Sequence, residues 1–336
     1  MENSSKRIKI ENPETLSELI DIAWTYKGSL QSSSDVVPNE FTSSMERYRL
    51  DWFKLWRLIP VLEELNEMIG MESLKNNIVN LVLYYAQGFN KNYDNEDKEV
   101  ECEGDMLHTV LLGDPGTGKT TAANILAKIY AKMGFLSKGH VVSAKITDFV
   151  GKYVGHSEHQ TKDLLNQAKG GVLFIDETYN LSNDCSFATK AVNILNAFLS
   201  EEKKDIVCII AGYESDLNEK FFSINKGLRR RFPWTFTITE YSSSELLKIF
   251  EKIVNRNYWS LEITKELTDL FTEHRSKFKY AGGDMETLFA KCKFVHTKRI
   301  FDVDRKLKTI SYRDVELGIK AFSTTVKEDA PLTYFM

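Results

Sequence analysis

The sequence predicts an α/β protein with a five-stranded, mainly parallel, doubly wound sheet, followed by an all-helical domain. Three observations carry this. An apolar run containing Leu107 and Val110 to Leu112 ends in Gly113-Asp114-Pro115-Gly116-Thr117-Gly118-Lys119-Thr120, and helical periodicity follows. A second apolar run, Val172 to Ile175, ends in Asp176-Glu177. Beyond Tyr241 the spacing is helical only, at 243–256, 264–275, 284–299 and 312–322.

Taken in order, residues 1–44 read as a flexible start, a short amphipathic helix and a Ser-rich linker. Leu16, Leu19, Ile20, Ala23 and Trp24 lie at helical spacing, and their stripe is expected to pack on the chain's own body. Residues 45–240 form the α/β domain with its preceding helices. Met45 to Gln87 is mostly helical, with interruptions expected near Pro60 and Gly70. The seven acidic residues between Asn90 and Asp105 read as a solvated loop before the first core strand. The strand ending at Leu112 then opens the sheet, and the helix after it runs to about Met133.

The string from Gly113 to Thr120 fits G-x-x-x-x-G-K-[ST], and its residue types have a mechanical reason. Glycine reaches backbone torsions closed to other residues, so successive amides can turn onto a polyphosphate. The helix behind the loop adds the positive end of its dipole. Asp114, Pro115, Gly116, Thr117, Gly118, Lys119, Thr120 and Thr121 are therefore the expected ATP contacts. Lys119 reaches the β- and γ-phosphates, and the Thr120 hydroxyl ligates Mg²⁺.

Gly139 to Lys145 supplies the second strand and Gly171 to Glu177 the third. Paired carboxylates at the end of a buried strand sit where open α/β sheets bind ligands. Asp176 would hold Mg²⁺, and Glu177 would orient and deprotonate the attacking water. Strands at 206–211 and 234–237 complete the sheet. Residues 241–336 are the helical lid and a C-terminal tail.

The charge of −4 and a pI near 6.0 give no global pull towards nucleic acid or anionic membrane. Cys102, Cys185, Cys208 and Cys292 are far apart, which argues against a zinc site or disulfide framework. The expectation is a soluble, intracellular protein in the cytoplasm or an equivalent reducing compartment. The basic stretch from Lys291 to Arg313 is read as a charged helix surface without an interleaved aromatic platform, so nucleic acid is not an expected partner.

The order of elements resembles an AAA+ P-loop NTPase. The strings DFVGKYVGHSEHQTKDLLNQAKGGVLFIDETYNL, IIAGYESDL and NKGLRRRFPWTFTITEYSSSELLKIF are similar to red-type rubisco activases and stage V sporulation protein K-like proteins, over about residues 65 to 300. The resemblance implies an ATPase that forms a homo-oligomer, expected to be a hexamer, and remodels an unidentified protein client. It implies that Tyr153 and Val154 form a pore loop gripping polypeptide; taken without the resemblance, Tyr153 reads as a buried tyrosine. It implies that Arg231 is an arginine finger reaching a neighbouring subunit's ATP, with Arg229 a second finger or an intersubunit ion pair. Tyr213 falls at the first sensor position, and Ile69 and Gly70 in the backbone region that contacts adenine. Met285 departs from the pattern, because an arginine is expected there and a thioether cannot donate to phosphate. That departure favours an alternative, a nucleotide-switched scaffold with slow hydrolysis. A nucleic-acid loader is the last alternative.

Overall fold

The computed structural model describes residues 12–31, 51–89, 92–93, 99–100, 106–149, 156–176, 186–201, 205–301 and 307–328. By its internal contacts the chain divides into two units, residues 1–112 with 119–238, and residues 113–118 with 239–336.

The first unit holds the sheet. Its strands are β3 (Thr109–Leu112), β4 (Val141–Lys145), β5 (Val172–Asp176), β6 (Val207–Gly212) and β7 (Trp234–Thr237), in the order β4-β5-β6-β3-β7 with every neighbour parallel. A two-residue antiparallel pair precedes them, β1 (Asn92–Tyr93) with β2 (Glu99–Val100), within the acidic stretch.

The alternation of a strand's side chains divides the sheet's burial between two faces. Val172, Phe174, Val207, Ile209 and Ala211 face a core shared with α1 (Leu16–Gln31), α2 (Trp52–Asn66), α3 (Glu72–Ala86) and α4 (Lys119–Met133). Leu173, Ile175, Cys208 and Ile210 face the other core, with α5 (His156–Ala168) and α6 (Ser186–Glu201). Strands apolar on both faces are what a parallel sheet covered on both sides requires.

Helix α1 packs as its stripe predicts. Leu16, Leu19, Ile20 and Ala23 are buried, and Trp24 Nε1 donates to Glu63 of α2 at 2.8 Å. Pro60 corrects an expectation, because α2 runs through it without a break. The proline removes one backbone donor, but Leu58, Ile59, Val61 and Leu62 are all buried around it, and packing outweighs the lost bond. The interruption at Gly70 is real. Gly70 and Met71 both take positive φ, 68° and 62°, and the Lys75 ammonium closes the turn by donating to the Met68 carbonyl at 2.7 Å.

The second unit is built from α7 (Ser243–Arg256), α8 (Lys265–Glu273), α9 (Ala281–Arg299) and α10 (Tyr312–Glu328). Ser242 and Glu245 form a reciprocal capping box that starts α7. Phe250, Phe271, Phe278, Phe289 and Phe322 meet ring to ring in its core. Helices α9 and α10 cross closely at Gly318, where a methyl would lie 2.6 Å from the Cys292 sulfur. Helical spacing alone missed one feature, a two-residue parallel pair of β8 (Ser260–Leu261) with β9 (Thr309–Ile310).

The basic stretch also needs correction. Phe294 and Phe301 stand exposed among its lysines, at 78% and 85%, so aromatic side chains do interleave there. Among the described residues, no helix is long and apolar enough to cross a membrane.

Candidate functional site

The strand register brings the predicted residues to one edge of the sheet. Leu112 at the end of β3 pairs with Gly212 of β6, and Ile175 of β5 pairs with Ile210. Asp176, one residue further on, therefore stands near the level of Leu111 and Ala211. The carboxyl edge thus carries the glycine loop after Leu112, Asp176 at the tip of β5, and Tyr213 directly after Gly212. Tyr213 is extended and caps a short helical turn, its carbonyl accepting from Leu217 N–H at 2.9 Å.

The loop has the torsions its sequence requires. Gly116 and Gly118 take φ of 76° and 91°, in the left-handed region where a side chain is strained. Thr117 is buried and turns its hydroxyl back onto the Asp114 carbonyl at 2.7 Å. Helix α4 begins at Lys119, so the positive end of its dipole follows the loop directly. Thr120 and Thr121 are exposed on that turn, and Lys119 is half-buried.

The donor chemistry fits the expected ligands. Thr120 offers a hydroxyl and Asp176 a carboxylate, two hard oxygens, and Mg²⁺ characteristically takes one or two protein ligands and completes its shell with water and phosphate.

A tyrosine that local sequence does not mark also holds the loop. The Tyr241 hydroxyl donates to the Thr117 carbonyl at 2.8 Å, and burial, then the charge of Glu245, pushes its pKa up to about 12, so it stays a donor. Arg275 fixes Tyr241 in turn, its Nε donating to the Tyr241 carbonyl at 2.7 Å and its Nη1 to that of Phe278 at 3.0 Å. Tyr241 and Thr117 are 124 residues apart, a pairing no sequence window contains.

The arginine box forms a single 3-10 turn, Arg229–Arg231. Arg229 is engaged within its own chain. It donates to the Phe232 carbonyl at 2.7 Å and to Thr235 Oγ1 at 3.3 Å, and lies 5.3 Å from the Phe222 ring centre. Arg231 is half-buried, and among the described residues its Nε has no hydrogen-bond acceptor. Beneath it lies His108, whose Nδ1 accepts from Cys208 N–H at 3.0 Å and whose ring lies 5.8 Å from that of Phe232. Burial, then the Arg231 charge, holds the His108 pKa down to about 4, so the imidazole is neutral.

Ile69 and Gly70 occupy the turn between α2 and α3. Met285 is wholly buried in the core of the helical unit, so it substitutes a packing residue for the expected arginine. Glu177, Tyr153 and Val154 lie outside the described residues.

Comparison with known proteins agrees with this geometry. A family model for the ATPase family associated with various cellular activities (AAA) matches residues 109–239. A putative CfxQ-like protein of Acanthamoeba polyphaga mimivirus is 34% identical over 333 residues, 97% of this chain and 75% of that one. Stage V sporulation protein K of Bacillus subtilis is 31% identical over 281 residues, covering 81% and 84%. Protein CbbX of Cereibacter sphaeroides is 38% identical over 195 residues, covering 56% and 61%. Among solved structures, Thermotoga maritima RuvB superposes with a TM-score of 0.51 at 19% identity, covering 76% of this chain and 71% of that one, which is a likeness of fold.

Proposed function

This chain belongs to the AAA ATPase family, in the group of CfxQ/CbbX-type and stage V sporulation K proteins, and is an ATPase; from that premise we propose that it works as a Mg²⁺-dependent ring, a hexamer, that remodels a protein client. The observation that carries the reading is the carboxyl edge of the sheet, where Leu112, from which the glycine loop departs, and Gly212, which Tyr213 follows, are paired in register, and Asp176 ends the neighbouring strand.

In this reading the main-chain amides of Gly116 to Thr120 orient the triphosphate, and Lys119 places its charge against the β- and γ-phosphates. Glu177 takes the proton from a water as its oxygen bonds to the γ-phosphorus, while the bond to the β-bridging oxygen breaks in line. Thr120 and Asp176 would hold Mg²⁺, which when bound would neutralise phosphate charge. Arg231 completes the site in trans, and its buried Nε, which has no acceptor among the described residues, supports that assignment. Tyr153 and Val154 are proposed to grip the client, since an aromatic on a glycine-flanked loop gives a broad, sequence-tolerant contact.

The test is ATP turnover per protomer against protein concentration, with sizing alongside, for the wild type and Arg231→Ala. Turnover should rise with assembly and fall about 10³-fold or more in Arg231→Ala, the range seen for arginine fingers. Turnover independent of concentration and indifferent to Arg231 would remove the ring and leave a self-sufficient site.

The burial of Met285 supports a second reading, a nucleotide-switched scaffold in which assembly is the function and slow hydrolysis resets it. Tyr153→Ala separates the two. It should abolish client remodelling under the first reading and leave assembly and function intact under the second.

A further inference from the structure

The phosphate loop is tied to the start of α9 by a backbone seam. Gly282 N–H donates to the Gly116 carbonyl at 3.1 Å, and Gly283 N–H closes the turn onto the Tyr280 carbonyl at 3.0 Å. The approach is so close that a methyl on Gly116 would run into the Tyr280 carbonyl oxygen, and one on Gly282 would lie 3.0 Å from that of Gly116. A methyl on Gly283 would meet nothing within 4 Å. Only two of these three glycines are therefore demanded by the contact.

The turn presenting Gly282 is itself held under strain. Ala281 takes φ of 40°, a conformation that L side chains rarely adopt. The buried carboxylate of Asp284 braces it by accepting from Tyr280 N–H at 2.6 Å. Beside the seam, the Tyr241 hydroxyl engages the next loop carbonyl, that of Thr117. Both links use loop carbonyl oxygens, so neither uses a loop N–H that a phosphate needs.

We propose that this Gly116–Gly282 seam, with the Tyr241 hydroxyl, couples the helical unit to the nucleotide loop by backbone contact in place of the arginine side chain that Met285 replaces, and that Gly282 is a positioning residue for ATP. The inference rests on the loop being the nucleotide site. Through the seam, the first turn of α9 sets the loop's shape, and a loop loaded with nucleotide constrains α9 in return.

The experiment compares full-length wild type, Gly282→Ala and Gly283→Ala by hydrogen exchange of the loop amides without nucleotide, by affinity for a fluorescent ATP analogue, and by steady-state turnover. Alanine suits a helix's first turn, so both variants should fold, with melting temperatures at or above that of wild type. Gly282→Ala should speed exchange at residues 114–118 and weaken nucleotide binding two- to tenfold, the fold-change of one lost hydrogen bond. The effect should fall on KM rather than kcat, and Tyr241→Phe should act in the same direction. Gly283→Ala should match wild type throughout. If Gly282→Ala and Gly283→Ala are alike in exchange and affinity while wild type binds ATP, the seam is overturned and the nucleotide site stands. If exchange separates the two variants but no protein binds nucleotide, the loop assignment fails and the seam stands.

Discussion

Two histidines, one in each unit, are almost fully enclosed, and the protein treats them in opposite ways. His296 is the centre of a closed network. Its Nε2 meets the Leu307 carbonyl at 2.6 Å and its Nδ1 lies 3.1 Å from Asp314, which also takes two bonds from Arg299 at 2.9 Å and two from Ser311. His108 forms no ion pair among the described residues; it accepts one backbone N–H and sits uncharged beneath the cation of Arg231. A buried charge is tolerated only when it is paired and hydrogen-bonded. Arg299 and its partners therefore read as architecture. Arg231 keeps a desolvated N–H without an acceptor among the described residues, which fits the proposal that a second subunit's site completes it.

The comparison is broken hardest at Asp314. Burial alone would raise its pKa, but hydrogen bonds from Arg299, Ser311 and His296 more than offset this and hold it below the usual carboxylate range. Asp314→Ala removes the common acceptor and strands its partners, so urea unfolding of the helical unit should show a loss of about 3–5 kcal/mol. A loss under about 1 kcal/mol would mean that the network is not the staple its geometry describes.

Acidification sharpens the contrast. A group whose folded pKa is depressed contributes stability that is present above its unfolded pKa and lost as pH falls towards the folded value. For His108, with an ordinary value of 6.5 and a folded value of about 4, stability should fall between pH 6.5 and 4 by about 3 kcal/mol. Asp314 contributes little to the fall above about pH 5, because its loss sets in only as pH approaches its ordinary 3.8. His108→Gln, which can still accept the Cys208 N–H, should flatten the slope of melting temperature against pH above 4.5. An unchanged slope would show that His108 is not the group being titrated.

What was legible in the sequence was local. The glycine loop announces itself because its chemistry lies within eight consecutive residues, and the central strands β3, β5 and β6 because parallel strands buried on both faces are apolar runs. The tie from Tyr241 to Thr117, the Gly116–Gly282 seam and the pairing of His108 with Cys208 join residues 100 or more apart, and no window contains both partners. Pro60 misled for a related reason, since a proline reads as a breaker until the buried residues around it are known. Phe294 is passed over in the basic stretch because the spacing of a helix does not show which of its aromatics its neighbours leave outside.

The finest test lies within one turn. A 3-10 helix advances three residues per turn, so Arg229, Arg230 and Arg231 leave it in three directions about 120° apart. Arg229 is directed to its own chain, with two hydrogen bonds and the Phe222 ring to satisfy it, although it remains exposed to solvent. If completed bonding marks a structural arginine, Arg229→Ala should cost about 1 kcal/mol of stability, the worth of a surface hydrogen bond and a cation–π contact. ATP turnover by the assembled protein should then fall less than tenfold, far short of the loss expected for Arg231→Ala. An Arg229→Ala variant as inactive as Arg231→Ala, with its melting temperature unchanged, would restore Arg229 as a second finger. It would also show that an arginine's bonds within its own subunit do not reveal whether it acts on the next.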